Sequence, residues 1–296
     1  MDFQGQLYKN LSIDDIALKI GIVLNKRYRI DEYVSFGNMS IMYMGHDIKT
    51  DEKVLIKELA PVSMVNRDLD GRSLVPRNKL CEDNLRKLKE SFDNEINVVK
   101  KLSKSEYMLA GRIPEYKDSF DENGVDYLVI SYFEGKDLQK RIANKEVISF
   151  SKIAYELVDI VEKIHKAGVI HRDIKFSNIF IKDDGKVVLI DFGSSCDIDN
   201  EREILRYVSS GFSPPELYDA TESTRWVDNF SIGAVMYQML TGTKPIEYAP
   251  DGNMSIRDIC EYVNIPWQLA LAVMKLLELS PEKRLKKLWI LKMLLK

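Results

Sequence analysis

The stretch that decides the reading is His171-Arg172-Asp173-Ile174-Lys175-Phe176-Ser177-Asn178, followed 13 residues after its asparagine by Asp191-Phe192-Gly193. Moving a phosphoryl group onto a hydroxyl needs a carboxylate beside the incoming oxygen, oxygen donors for a hard cation, and a positive charge that holds the anionic chain in line. Asp173 can serve as the first. Asn178 and Asp191 can donate metal oxygens, because Mg²⁺ prefers hard oxygen ligands and takes the rest from phosphate and water. Lys175, two residues past Asp173, can stabilise charge on the transferring group. Singly, Asp-Phe-Gly could be a surface turn and His-Arg-Asp a solvated loop. Their order and separation, with short strand patterns at 179–182 and 187–190 between them, give the combination its weight.

Upstream, residues 28–34, 41–47 and 53–58 read as three strands, broken at Gly37-Asn38 and at 49–52, with Pro61 ending the third. Residues 61–84 are polar and mixed and read as an irregular insertion. From about Asn84, Leu88, Phe92, Ile96, Val99 and Leu102 fall at helical spacing. Two further strands are expected at 116–120 and 127–132. After Gly135 helices dominate, at 151–166 with Ser151 as its N-cap, and near 228–241, 256–263, 266–279 and 284–295.

The chain has 296 residues, 45% hydrophobic and 30% charged, enough for a substantial core. Its net charge of −3 gives no basic surplus and argues against nucleic acid as a partner. The three cysteines, Cys81, Cys196 and Cys260, form no CxxC pair and read as reduced thiols in a cytoplasmic protein. His46, His165 and His171 have no ligand spacing to a cysteine, so zinc is not expected. The apolar run at 288–295 is shorter than the roughly 20 residues a span needs, and the first 24 residues do not read as a signal peptide. No membrane span is expected.

The catalytic stretch, the Asp191 tripeptide and Val54-Leu55-Ile56-Lys57 together resemble the eukaryotic-type (Hanks-type) Ser/Thr protein kinase family, over residues 28 to 295. The resemblance implies an α+β, bilobal protein-kinase-like fold: a five-stranded antiparallel N-lobe with one main helix (28–133, with the 61–84 insertion), a hinge near 131–135, and a mostly helical C-lobe (134–296). Residues 1–27 stand as an N-terminal extension. The implied activity is transfer of the γ-phosphoryl of ATP, with Mg²⁺ or alternatively Mn²⁺, to a protein Ser or Thr, with autophosphorylation between copies as a further outcome. Asp173 would be the base, Lys175 its Ser/Thr-type partner, and Asn178 and Asp191 the metal ligands. Lys57 would hold the α- and β-phosphates and pair with Glu95.

The same resemblance places Ser35, Gly37 and Ser40 in the phosphate-covering loop, where the family has three glycines. Met42 and Leu55 would form the adenine roof, Phe180 its floor, and Ser131, Phe133 and Asp137 the edge of the nucleotide site. Met42, Leu55 and Phe180 are bulky for those places. The chain therefore reads either as an active kinase with a compensated pocket or as a pseudokinase, a weak nucleotide binder that serves as a regulatory module. Glu216, in Phe212-Ser213-Pro214-Pro215-Glu216, would pair with Arg284, and Asp228 would cap the catalytic loop. Arg172 implies control by an anion in the segment 191–216, either a phosphate on Ser194, Ser195, Ser209 or Ser210 or the carboxylates of Asp199, Glu201 and Glu203. Ser209 better matches the family threonine that bonds the catalytic aspartate and lysine. The insertion, and Lys57-Glu58 closely followed by Pro61, resemble some bacterial Ser/Thr kinases.

Overall fold

A computed structural model describes residues 13–37, 39–198, 208–218, 224–246 and 253–296. The chain divides into two units, residues 1–96 with 115–132 and residues 97–114 with 133–296.

In chain order the first unit holds β1 (Val23–Leu24), β2 (Tyr28–Phe36), β3 (Ser40–Asp47), β4 (Glu52–Leu59), β5 (Val65–Arg67), β6 (Leu74–Pro76), helix α1 (Lys79–Ser103, residues 79–96 belonging here), β7 (Tyr116–Glu122) and β8 (Val125–Ser131). Six of the strands form one antiparallel sheet in the order β1-β2-β3-β4-β8-β7. The expected five thus become six. The addition, β1, is only two residues long and pairs Val23 with Arg29 and Leu24 with Tyr28, too short to show an alternating pattern.

Successive side chains on a strand point to opposite faces. On β3, Ile41, Tyr43, Gly45 and Asp47 are buried, while Met42, Met44 and His46 stay partly exposed. The register pairs Tyr43 with Ile56 and Met42 with Lys57, so Tyr43, Ile56 and Glu58 share one face while Met42, Leu55 and Lys57 share the other. The core of the unit lies on the Tyr43 face, and Ile16, Leu18 and Leu24 from the N-terminal stretch are part of it.

Residues 61–84 are not irregular. They form the hairpin β5–β6, with Val65 paired to Pro76 and Arg67 to Leu74, and α1 begins at Lys79 rather than near Asn84. Asp70 accepts hydrogen bonds from the backbone N–H groups of Arg72 and Ser73 in the turn. Asn78 caps α1 by accepting from the N–H of Cys81. A buried arginine inside a three-residue strand defeats pattern reading, which takes charge for loop.

The second unit holds β9 (Gly135–Asp137), α2 (Leu138–Ala143), α3 (Phe150–Lys166), β10 (Val169–Ile170), β11 (Ile179–Lys182), β12 (Val187–Leu189), β13 (Cys196–Asp197), α4 (Pro215–Tyr218), α5 (Trp226–Thr241), α6 (Ile256–Val263), α7 (Trp267–Leu276) and α8 (Trp289–Leu294). Helix α5 is buried on all sides from Val227 to Tyr237 and packs against α3, α6 and α7, as a central core helix must. The cap of α3 is Ser149, which accepts from the N–H of Lys152, rather than Ser151, which lies in the first turn. The last helix spans only 289–294, and ahead of it the N–H of Leu285 donates to the carbonyl of Lys275. Gly135 has φ +143, and a Cβ there would lie 2.2 Å from the carbonyl oxygen of Ile181, so β9 can reach β11 only with glycine. All three cysteines are free, and no helix among the described residues is long and apolar enough to cross a membrane.

Candidate active site

Asp173 is 6% exposed and sits at the centre of a hydrogen-bonded cluster. Lys175 Nζ donates to its Oδ2 at 2.7 Å, Asn178 Nδ2 to the same oxygen at 3.0 Å, and Ser209 Oγ to Oδ1 at 2.7 Å. Lys175 also donates to Ser209 Oγ at 3.1 Å, and Asn178 Nδ2 to the carbonyl of Asp173 at 2.8 Å. A carboxylate offers about four acceptor positions. Three are used here, which leaves one on Oδ1 for a further donor. Because the amide nitrogen of Asn178 is committed to Asp173, its Oδ1 faces away, where it accepts from Ser177 Oγ at 3.4 Å.

The backbone beneath this cluster is held in unusual conformations. Arg172 and Asp191 have φ +67 and +62, in the left-handed region that costs non-glycine residues about 1–2 kcal/mol. Asp228, fully buried at the start of α5, holds the first of them. Its Oδ1 accepts from the N–H of Arg172 at 2.8 Å, and its Oδ2 from the N–H of His171 at 2.9 Å and from His165 Nε2 at 2.7 Å. Burial alone would push the Asp228 carboxyl up. The hydrogen bond and charge of His165, with the contacts from His171, outweigh it and keep the pKa below the usual carboxylate range.

His171 is the link to Asp191. The N–H of Asp173 donates to His171 Nδ1 at 3.3 Å, which assigns the ring proton to Nε2, 3.2 Å from the carbonyl of Ile190. Burial lowers the pKa of His171 despite the nearby Asp228, Asp173 and Asp191, so the ring is neutral. It packs on Phe192 with ring centroids 4.9 Å apart. Phe192 is buried while Asp191, next to it, is exposed to solvent.

The remaining C-terminal candidates divide into two groups. Arg284 donates to both oxygens of Glu216, at 2.6 and 3.2 Å, and to the carbonyls of Trp226, Glu278 and Leu279, which ties 216 to α5 and to the loop before α8. Ser213 Oγ accepts from the N–H of Ser209 and so fixes the serine that meets Asp173. By contrast, Ser194 and Ser195 are buried, at 6% and 0% exposure, as is Arg172 at 6%. Ser210 is exposed, and its carbonyl accepts from Lys244 Nζ at 2.9 Å. Asp199, Glu201 and Glu203 lie outside the described residues. Phe180 meets Phe133 edge-on at 4.9 Å, and both stay partly exposed. Asp137 caps α2 by accepting from the N–H of Lys140.

In the first unit, Lys57 Nζ lies 2.6 and 2.8 Å from the two oxygens of Glu95, and both residues are buried. Met42 and Leu55 are partly exposed on the same sheet face as Lys57, so an apolar surface borders the ammonium. Ser131 Oγ accepts from the N–H of Glu115 and serves the sheet edge. Ser35 and Ser40 lie in β2 and β3 and do not adopt positive φ, and the turn closes with the N–H of Gly37 donating to the carbonyl of Ser40 at 2.8 Å. Serine is therefore accommodated at both places without backbone strain. Asn38, within the turn, lies outside the described residues.

These groups fit a nucleotide and a divalent ion in their chemistry. A buried ammonium held by Glu95 can face phosphate oxygens, and the apolar face beside it can receive a base. Among the described residues no group of three or more His, Cys, Asp or Glu could hold a metal by itself. Asn178 and Asp191 are the oxygen donors that would hold a hard cation, with phosphate and water completing its shell.

The protein kinase domain family model matches residues 28–294. The chain belongs to that family. A probable serine/threonine-protein kinase of Clostridium perfringens is 25% identical over 285 residues, which cover 90% of this kinase chain and 37% of the relative. The serine/threonine-protein kinase PknD of Chlamydia trachomatis is 26% identical over 305 residues, covering 88% and 30%. The chain thus spans about a third of the length of these curated relatives. Among solved structures, the apo form of PpkA-294 superposes with a TM-score of 0.79 at 25% identity, over 95% of this chain and 99% of that one. A double mutant of the Mycobacterium tuberculosis PknI kinase domain gives 0.65 at 15% identity, over 94% and 98%, a likeness of fold.

Two features of this kinase domain escape pattern reading. His165 bonds Asp228 from within the apolar stripe of α3, where it reads as a core residue. Glu58 is fully buried and accepts from Tyr43, Tyr127 and Arg67. A glutamate at a position where the strand alternation demands an apolar residue is the available signal.

Proposed function

We propose that this domain is a non-specific serine/threonine protein kinase, transferring the γ-phosphoryl of ATP to a Ser or Thr hydroxyl of a protein. The observation that carries the reading is the cluster around Asp173, in which lysine, asparagine and serine fix the carboxylate and leave one acceptor position on Oδ1. That position takes the proton of the acceptor hydroxyl as its oxygen bonds to the γ-phosphorus and the bond to the β–γ bridging oxygen breaks, releasing ADP. Lys57, aimed by Glu95, binds the α- and β-phosphates, with Met42 and Leu55 on the same sheet face receiving the base. Lys175 meets charge developing on the transferring group. Asn178 and Asp191 are the residues that would hold Mg²⁺ or Mn²⁺, which when bound neutralises phosphate charge. The Glu216–Arg284 tie supports a platform for a peptide, which favours a protein acceptor over a small molecule. The names of the relatives point the same way.

The acceptor class is the point to test. The protein is incubated with Mg-ATP labelled at the γ-position and, in parallel, with a generic basic protein, sugars and aminoglycosides. Label on serine or threonine after acid hydrolysis of the protein is the expected result. Label on the small molecules alone refutes the assignment. A melting temperature unmoved by saturating Mg-ATP would refute nucleotide use altogether, since a ligand of the native state must raise it.

A further inference from the structure

Strand β4 places two buried charges back to back. Lys57 faces Glu95, and the next residue, Glu58, points into the opposite face of the sheet, where it is fully buried. There Arg67, on the hairpin strand β5, grips both carboxylate oxygens at 2.8 Å, and Tyr43 and Tyr127 donate to them at 2.7 and 3.0 Å. The Arg67 side chain is itself 5% exposed, and it also donates to the carbonyls of Ile16 and Arg72. Tyr43 Oη in turn accepts from the N–H of Leu18. The strands on either side of β4 therefore contribute a tyrosine each, and the hairpin contributes the guanidinium that balances this carboxylate.

The hairpin is also the covalent approach to Glu95. Arg77, just past β6, bonds the carbonyls of Val62 and Val65, which closes the base of the hairpin, and α1 begins two residues later. One short element thus grips the strand that carries Lys57 and leads directly into the helix that carries Glu95. Burying an ion pair of this kind is costly unless its geometry is excellent, and removing one partner is more costly still. For anchoring the N-terminal stretch alone, apolar packing of Ile16 and Leu18 would suffice. A two-pronged charge pair adds direction: it fixes the rotation and register of β4, and a rotation of β4 that moved Glu58 would swing Lys57 the opposite way.

We infer that Arg67 is a positioning residue for the phosphate-binding lysine, acting through Glu58 to hold Lys57 against Glu95. The inference rests on the kinase reading above for its consequence in catalysis, but its structural content does not depend on nucleotide. Lys57 acylation by a water-soluble acetylating ester, followed by mass spectrometry without nucleotide, reads the accessibility of its ammonium directly. Arg67→Met and Glu58→Gln are expected to raise the Lys57 rate about tenfold, with Arg67→Lys intermediate because a point-like ammonium lacks the planar fork that matches both oxygens while also reaching the carbonyls of Ile16 and Arg72. Lys292 in the second unit, held by Asp159 and Glu162, serves as the internal control and keeps its rate. In transfer assays, Arg67→Met is expected to raise KM for ATP and lower kcat with peptide KM unchanged, and to add less than about twofold in a Glu95→Gln background, where the pair it positions is already lost. An unchanged Lys57 rate in all three variants, with faster hydrogen exchange at Leu18, would overturn the inference and leave Arg67 an anchor of the N-terminal stretch. If Arg67→Met fails to fold, Arg67→Lys and Glu58→Gln carry the comparison. A wild-type protein that transfers no phosphate but shows the labelling pattern would remove the kinase reading and keep the positioning role.

Discussion

Replacing Asp228 by asparagine tests how the catalytic loop is held. The change is isosteric, yet the carboxylate accepts three hydrogen bonds, two from backbone N–H groups and one from His165. An amide has one acceptor oxygen. If it stays on the His165 and His171 side, its NH₂ group faces the N–H of Arg172, and that bond is lost. The other two turn from charge-assisted to neutral. Hydrogen bonds to charged groups contribute about 1.5–3 kcal/mol each and neutral ones about 1, so the expected cost is roughly 3–5 kcal/mol. A domain of ordinary stability survives such a loss at low temperature. Function should suffer even in the molecules that stay folded. Without its acceptor, Arg172 is no longer held at φ +67 and relaxes toward ordinary values, which displaces Asp173, its neighbour. A misplacement of about 1 Å can cost on the order of a hundredfold in rate. Urea unfolding in the cold gives the stability difference, and phosphoryl transfer at the same temperature, well inside the folded range, gives the rate. Stability within about 1 kcal/mol of wild type together with unchanged kcat would refute the claim that this carboxylate holds the loop.

Lys57→Met leaves the Glu95 carboxylate buried without its ammonium, so it should lower stability by about 3–5 kcal/mol and abolish the Mg-ATP shift in melting temperature; both are read by thermal unfolding with and without nucleotide. Arg284→Lys can keep at most three of the five hydrogen bonds of the guanidinium, which should cost about 3–5 kcal/mol in urea unfolding and raise KM for peptide more than KM for ATP. Acid should destabilise the fold through His171. Its folded pKa is lowered, so below the unfolded histidine pKa of about 6.5 the unfolded chain binds a proton that the folded chain does not, and stability falls by up to about 1.4 kcal/mol per pH unit from this group. His171→Phe should flatten that slope below about pH 6.5, as followed by unfolding across the acid range.

The groups of the candidate site are legible in the sequence because each sits in a short local pattern. Asp173, Lys175 and Asn178 fall within six residues, and Lys57 and Glu95 lie on elements with plain strand and helix periodicity. The structure brings together the first three with Ser209, and pairs the other two. What resists reading is long-range or non-periodic. Glu58 meets Arg67, Tyr43 and Tyr127 across separations of 9, 15 and 69 residues, and a charged residue inside a three-residue strand imitates a loop. The cap of α3 lies two residues before the expected one, because Ser149 and Ser151 have equal capping chemistry and only the backbone decides between them. The serines of the glycine loop look costly only under the assumption of positive φ, which the extended backbone at Ser35 and Ser40 does not require.

The central claim is that Asp173 is the base of a phosphoryl transfer. The direct measurement compares wild type with Asp173→Asn, using γ-labelled Mg-ATP and a protein acceptor, with the nucleotide Kd of each measured alongside. The account predicts a Kd within about threefold of wild type and a transfer rate reduced about 10²- to 10⁴-fold, the loss of a general base. Equal transfer rates in the two proteins would contradict it.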